Sequence, residues 1–403
     1  MKNNIIAACD IGSSKVCCGI ARIDENAEFS LIGFGEVPSK GIRKGVVSNI
    51  ETVTTNITDA VTAAEIMSGE NVSSLTLNIS GDHISSTNSI GVVAVSGKNK
   101  EINYEDVRRV IEAARTVVIP KGRELIHVLE QHYCVDDQSD IKYPIGMTGV
   151  RLETSVHLVS GSMMLLRNLK NAVIRAGYNF QDIIISSLAS AEACISQDEK
   201  ELGVLVIDIG SDMTDIICYH NDAVAYSACI PLGGSYITKD ISIILKIPIK
   251  EAENIKKNSG NAYPSLVDED EKVEVPAIGA NPSRLESKKL ISQIIEARVK
   301  EILGLVEDNM EKADLRKKIS SGIVVTGGTA KLAGIENLIF DVLKVPVRVG
   351  YPYGFNSVNT NIFSPEYSTL VGLLLLSVED SKTNMKPKEK KGFFDQFKNF
   401  FSK

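Results

Sequence analysis

The 403 residues contain no tryptophan and only eleven phenylalanines, so where the phenylalanines fall is informative. Positive charge is not in excess. The formal net charge is −7, which excludes nucleic-acid binding by bulk electrostatics. None of the seven cysteines forms a C-x-x-C pair, and none is matched with histidines at ligand spacing, which argues against a zinc site. Their number is odd, and most of Cys9, Cys17, Cys18, Cys134, Cys194, Cys218 and Cys229 lie in apolar strand-like runs. They read as reduced, buried small hydrophobes of a cytosolic protein. The N-terminus, MKNNIIAACDIG, lacks a charged region followed by a long apolar stretch, so no secretory signal is expected. The longest apolar run near the end is Leu370–Val378, far short of the ~20 residues that span a bilayer. An integral membrane protein is therefore not expected.

What is present is an ordinary globular composition, 43% apolar and 24% charged, in a chain long enough for two lobes. Two segments look alike. NIIAACDIGSSKVCCGIAR begins at Asn4 and LGVLVIDIGSDMTDIICYH at Leu202. Each is an apolar strand, the sequence D-I-G-S, a polar turn and a second apolar strand. A repeat on this scale points to two lobes of one topology rather than a solenoid. Between and after them, strand-like and helix-like segments alternate, the pattern of an α/β class. Helical spacing covers 50–69, 102–117, 162–178, 235–247, 250–260 and 288–313. Residues 267–284, VDEDEKVEVPAIGANPSR, read as a polar, proline-marked insertion.

The two D-I-G-S turns suit phosphate. Glycine lets backbone N–H groups approach an anion, and small hydroxyl residues add donors. In DIGSSK, Gly12 makes the turn, Ser13 and Ser14 offer donors, and Lys15 can neutralise a β- or γ-phosphate. Asp10 and Asp208, at the two strand ends, can orient hydrated Mg²⁺, which favours carboxylate plus water. One such turn is commonly a plain hairpin, but two copies are harder to dismiss. A third glycine element, GIVVTGGTAKLAG, places Gly327 and Gly328 between a strand and a helix, where they allow close approach to a flat ligand such as adenosine. A simple β-α loop reads the same way in isolation.

The end of the chain answers where the phenylalanines are. Phe393, Phe394, Phe397, Phe400 and Phe401 fall on one face of a helix, with Asp395, Gln396, Lys398 and Asn399 on the other. From Ser381 onward seven lysines oppose Glu389 and Asp395, a local charge of +5 on a body that then sums to −12. A helix over 392–403 would be ~18 Å long, too short to cross a membrane. Lying flat, each ring contributes about 1–2 kcal/mol, and Lys390, Lys391, Lys398 and their neighbours add about 1 kcal/mol each against anionic lipid. Residues 379–391 read as a flexible tether. Packing of the tail onto the body or into a partner's groove is the competing reading.

DIGSSK, DIGSDMTD and VTGGTAKLAG together resemble the two phosphate loops and the adenosine motif of the actin-like ATPase superfamily. SSLASAEACI and YSTLVGLLLL resemble its two lobe-connecting helices. Within it the chain is similar to the FtsA family of bacterial cell-division proteins, through IGFGEVPSKGIRKGVV, ISGDHISSTNSIGVV, TGVRLETSVHLVSG, EKVEVPAIGANPSR, IIEARVKEI and IVVTGGTAKLAGI. The resemblance implies an α/β, actin-like two-lobed fold of duplicated ribonuclease-H-like lobes. It places subdomain 1A at 1–81 and 161–194, an FtsA-type 1C insertion at 82–160, and 2A at 195–232 and 299–378. Subdomain 2B would be 233–298, followed by the linker at 379–391 and the amphipathic targeting helix at 392–403. It implies ATP and Mg²⁺ as ligands. Gly210, Ser211 and Thr214 would join the second phosphate loop, Thr329 the adenosine motif, and Glu253, Lys256 and Lys257 the ribose and adenine side.

It implies self-association into filaments, peripheral attachment to the inner face of the cytoplasmic membrane at the division site, recruitment of later division proteins, and no nucleic acid. The tail of the tubulin-like protein FtsZ would dock on 2B near Arg284, Lys288 and Arg298, as arginine pairs suit an acidic peptide. Rival expectations are a pilus-assembly actin-like adaptor or a small-molecule kinase of the same superfamily. One departure stands out. The superfamily's second loop reads close to D-x-G-G-G-T-x-D, whereas here Ser211 and Asp212 replace two glycines and Met213 a threonine. Asp212 sets a carboxylate where a phosphate approaches, so the expectation is ATP binding with at most weak hydrolysis. No general base is identified.

Overall fold

The computed structural model describes residues 4–24, 29–117, 119–276, 283–357 and 359–385. Six strands form the first sheet: β1 (Asn4–Ile11), β2 (Lys15–Ile23), β3 (Phe29–Pro38), β6 (Ser74–Ile79), β11 (Asn179–Ile185) and β19 (Asn356–Ser357). Their spatial order is β11–β6–β1–β2–β3–β19. Five form another: β12 (Val204–Ile209), β13 (Thr214–His220), β14 (Ala223–Ile230), β17 (Ile323–Thr326) and β18 (Val347–Val349), in the order β14–β13–β12–β17–β18. The two sheets repeat one plan. In each, three strands run as an antiparallel meander, and two later strands add in parallel beside the first. The repeat read from D-I-G-S is therefore a repeat of topology. All six residues of β12 are buried, as expected of a central strand covered on both faces.

Helices cover these sheets. In the first lobe they are α1 (Ile50–Ser68) and α3 (Met163–Arg175); a short hairpin, β4 (Ile42–Arg43) and β5 (Val46–Val47), precedes α1. Val53, Ile57, Ala60, Val61 and Ala64 form the buried stripe of α1, while Asn49 caps its start and left-handed Gly69 its end. The second lobe carries α5 (Gln197–Leu202), α6 (Gly234–Leu245), α7 (Ile249–Ser259), α8 (Lys288–Lys312) and α9 (Ile335–Leu343). Two helices link the lobes, α4 (Ser186–Cys194) and α10 (Ser368–Met385), and they pack on each other. Their Leu188, Ala189, Leu370 and Leu374 belong to a core that runs from the first sheet into Val204 and Val206 of the second.

The insertion is a four-stranded sheet, β7 (Ser85–Ala94), β8 (Arg123–Val135), β9 (Gln138–Ile141) and β10 (Arg151–Ser162), ordered β7–β10–β8–β9, with α2 (Tyr104–Arg115) on one face. It has its own core, which includes Val107, Val110, Ile111, Leu152 and Val156. The seven cysteines are free thiols, five of them buried.

Two expectations need correction. The polar stretch 267–284 is not all loop: β15 (Lys272–Val275) pairs with β16 (Arg284–Ser287). The alternation in KVEV is a strand signal that the surrounding charge masks. Residues 379–385, expected to belong to the tether, are helical, because α10 continues to Met385. The tail residues Lys390, Lys391, Phe393, Phe394, Phe397, Lys398, Phe400 and Phe401 lie outside the described residues. No helix among the described residues is long and apolar enough to cross a membrane.

Candidate functional site: a cleft between two matched hairpins

A cleft of about 1140 Å³ lies between the lobes, and both D-I-G-S turns open onto it. The turns are built alike. Gly12 N–H donates to the Lys15 carbonyl at 3.0 Å, and Gly210 N–H donates to that of Met213 at 2.9 Å. Each turn follows a buried aspartate at the end of its strand, Asp10 on β1 and Asp208 on β12. Ser13, Ser14, Lys15, Ser211, Gly327, Gly328 and Thr329 also line the cleft, so the structure brings these sequence-predicted residues together.

The cleft gathers buried carboxylates and an ammonium. Burial raises the proton affinity of Asp10 to about 7, against the pull of Lys15 and with a push from Asp208 and Asp215. Burial likewise raises Asp215 to about 7 and Asp208 above the ordinary carboxylate range. Asp208 is held by Ser190 from α4 and by Thr369 Oγ1 from α10 at 3.3 Å, so both lobe-linking helices contribute a hydroxyl to it. The Lys15 ammonium lies 3.4 Å from Glu366, 3.5 Å from Glu36 and 3.4 Å from the centre of the Tyr367 ring. It is buried, and these two long ion pairs and the ring are what hold it. The like charge of clustered buried carboxylates is what a bound cation would relieve, and the nearby ammonium, held by long ion pairs, could turn to an anion.

The side of the cleft expected to receive adenosine is close-packed. Gly327 has φ +85, and a Cβ there would sit 2.3 Å from Asp208 Oδ1. Only glycine fits both requirements. A Cβ on Gly234 would lie 2.4 Å from Thr329 Oγ1. Glu253, Lys256 and Lys257 line the cleft from α7. Lys256 is buried, with its ammonium 2.7 Å from Glu253 and donating to the Gly234 carbonyl at 3.0 Å. Lys257 is exposed and 3.5 Å from Glu253.

Thr214 is turned away from the cleft. It is fully buried, and its hydroxyl donates to the Leu232 carbonyl at 2.8 Å, holding β13 to the segment that enters α6. Asp212, expected to confront a phosphate, has both oxygens occupied. Oδ1 accepts from Ser235 Oγ at 2.7 Å and Oδ2 from Lys44 N–H at 3.1 Å.

Sequence reasoning missed Asp215. Ser80 Oγ donates to its two oxygens at 2.7 and 2.8 Å. Burial raises its proton affinity to about 7, and it lines the same cleft as Asp10 and Asp208. The final aspartate of DIGSDMTD was the available signal. The Gly233–Gly234 pair, which opens α6 against the second loop, would have been found by the glycine criterion applied to 327–328. Ser80 and Glu366 carry no local signal, because only folding brings them to the cleft.

A family model described as "Cell division protein FtsA" matches residues 205–372, and one described as "SHS2 domain inserted in FTSA" matches 81–160. Cell division protein FtsA of Borreliella burgdorferi is 42% identical over 385 residues, covering 95% of this chain and 93% of that protein. The chain belongs to the FtsA family. FtsA of Bacillus subtilis is 38% identical, covering 94% of this chain and 85% of that one; FtsA of Escherichia coli K12 is 34% identical, covering 92% and 89%.

Among solved structures, a PilM–PilN type IV pilus biogenesis complex aligns with TM-score 0.67 at 16% identity, over 93% of this chain and 98% of that one. MreB5 of Spiroplasma citri bound to AMPPNP aligns with TM-score 0.57 at 15% identity, over 96% and 99%. At such identities the likeness is one of fold, here the actin-like two-lobed fold, and only the FtsA relatives extend it to a family.

In this FtsA-family chain the expected partner residues flank α6. Arg298 donates to Asp240 at 2.6 and 3.0 Å, and Arg284 donates to the Leu245 carbonyl at 2.6 Å. Lys288 is paired with Glu271. Exposed Ile243, Ile244 and Leu285 lie on α6 and β16.

Proposed function

We propose that this FtsA-family chain binds ATP with Mg²⁺ between its lobes, associates with copies of itself, and holds FtsZ filaments at the inner face of the cytoplasmic membrane. Later division proteins would be recruited there. The observation that carries the reading is the pair of matched hairpins facing one cleft, with the buried carboxylates Asp10 and Asp208 beside the turns and Lys15 reaching in between Glu36 and Glu366. Asp10 and Asp208 would hold Mg²⁺ through water, and the ion would offset the charge of both the carboxylates and the phosphates. Gly12 to Lys15 and Gly210 to Ser211 would receive the phosphates. Gly327, Gly328 and Thr329 would receive the adenosine, with Glu253 and Lys256 beside it. Hydrolysis is at most weak in this reading.

Arg284, Lys288 and Arg298, beside exposed Ile243, Ile244 and Leu285, offer cations next to apolar surface. That combination suits an acidic peptide with apolar anchors, such as the FtsZ tail. The five phenylalanines and flanking lysines of 392–403 supply a reversible anchor from two modest terms. Deleting 392–403 and sedimenting the protein with anionic liposomes tests the anchor. Lost sedimentation with unchanged ATP affinity is expected; unchanged sedimentation refutes it. Phosphoryl transfer to a small molecule would refute the tether as a whole.

A further inference from the structure

We infer that Asp212 is a built-in anion that latches the two lobes together across the cleft without needing a ligand. Its carboxylate accepts from the backbone N–H of Lys44 at 3.1 Å and from Ser235 Oγ at 2.7 Å. Lys44 sits in the β4–β5 hairpin of the first lobe, and Ser235 opens α6 of the second. One side chain therefore joins both lobes at the turn of the second phosphate loop.

The hairpin is shaped for this contact. Lys44 has φ 49 and Gly45 φ 73, the left-handed pair of a two-residue hairpin turn. A lysine seldom adopts that conformation. The strand pairing runs Ile42 to Val47 and Arg43 to Val46, so the Lys44 N–H lies at the turn, outside the paired positions, and Asp212 receives it. The other side of the turn is seated too. A Cβ on Gly45 would lie 2.5 Å from the Ser80 carbonyl, and Ser80 donates to Asp215. The hairpin thus meets the second lobe twice, directly at Asp212 and through Ser80 at Asp215.

A nucleotide phosphate closes a two-lobed cleft by accepting hydrogen bonds from both sides. Asp212 does so with a charge of its own, at a position where glycine could make neither bond. Closure of this cleft therefore depends less on nucleotide than it would with glycine there. The latch itself needs no ligand; only its exchange for nucleotide rests on the ATP reading above.

Amide hydrogen exchange on the full chain without nucleotide tests it. In Asp212→Gly the amides of Lys44–Val47 are expected to exchange about tenfold faster, the effect of one charge-assisted hydrogen bond, with β17 unchanged. Unchanged exchange at Lys44 overturns the latch. If Asp212→Gly raises exchange throughout β17, Asp212→Asn decides: a rise confined to the hairpin supports the latch, and no rise overturns it. Adding Mg²⁺–ATP to Asp212→Gly should restore protection. Faster exchange without that recovery leaves the latch standing and removes the ATP reading.

Discussion

Asp10 and Asp215 are carboxylates buried in a cleft, and burial is the largest cause of their raised proton affinity. The folded, nucleotide-free protein holds these protons more tightly than the unfolded chain does. Its stability therefore falls as pH rises from the ordinary carboxylate range through about 7. Asp215→Asn removes that penalty. Its nucleotide-free form should be more stable than the parent by about 4 kcal/mol at pH 8, and the gap should close as pH falls toward 4. Stabilisation by Mg²⁺–ATP should persist in the same variant, because Asp10 and Asp208 are the carboxylates proposed to hold the ion. Thermal melts across pH, with and without nucleotide, check both.

His157 works in the opposite sense. Its ring nitrogens meet Asn88 Oδ1 at 2.6 Å and Ser227 Oγ at 2.9 Å, joining the insertion to the second lobe. Burial, with His127 nearby, lowers its proton affinity to about 4. The unfolded chain then takes up the proton first, so this contribution is intact above about 6.5 and lost as pH falls through 4. The advantage of the parent over His157→Gln should shrink by on the order of 3 kcal/mol between pH 7 and 4, as read by denaturant midpoints.

At the scale of elements, glycines set how closely pieces approach. A Cβ on Gly372 of α10 would lie 1.7 Å from the Ala189 carbonyl of α4. These helices join the lobes and hold Asp208 through Ser190 and Thr369. Gly372→Ala should cost about 3 kcal/mol, the upper end for overpacking, and should weaken nucleotide binding by displacing Asp208. Chemical unfolding and nucleotide titration check the two effects. Gly327→Ala should weaken binding more than it lowers stability, because its strain falls directly on Asp208.

The elements themselves were largely legible in the sequence. The caps of α1, the stripe of α2 and the two repeated hairpins follow from local pattern. The β15–β16 hairpin was not legible, because four-residue strands amid charges give too short an alternation to read. Thr214 was misassigned because the motif fixes its spacing but not the direction of its hydroxyl.

At the scale of the molecule, the insertion does more than extend from the first lobe. Ser86 Oγ, Asn88 Nδ2 and Gln131 Nε2 donate to the carbonyls of Ser227, Ala225 and Val224, at 2.7, 3.1 and 2.7 Å. They cap the outer edge of β14, which would otherwise leave backbone acceptors unpaired. The candidate partner surface lies elsewhere on the second lobe, across α6 and β16. Replacing Arg284 and Arg298 with alanine should weaken binding of an acidic FtsZ-tail peptide by tenfold or more with ATP affinity unchanged, as measured by titration of each ligand. Equal loss of both affinities would show that the Arg298–Asp240 pair serves the fold instead.

The sequence alone determined the duplicated plan, the α/β class, the two glycine turns and the phenylalanine spacing of the tail, because each is written in residues near one another along the chain. The tertiary structure decided what lies across the cleft. Ser80 with Asp215, Lys44 with Asp212, and Lys15 between Glu36 and Glu366 are contacts between residues far apart in sequence. Local pattern cannot pair such residues, since their energies depend on burial and distance that exist only once the lobes have come together.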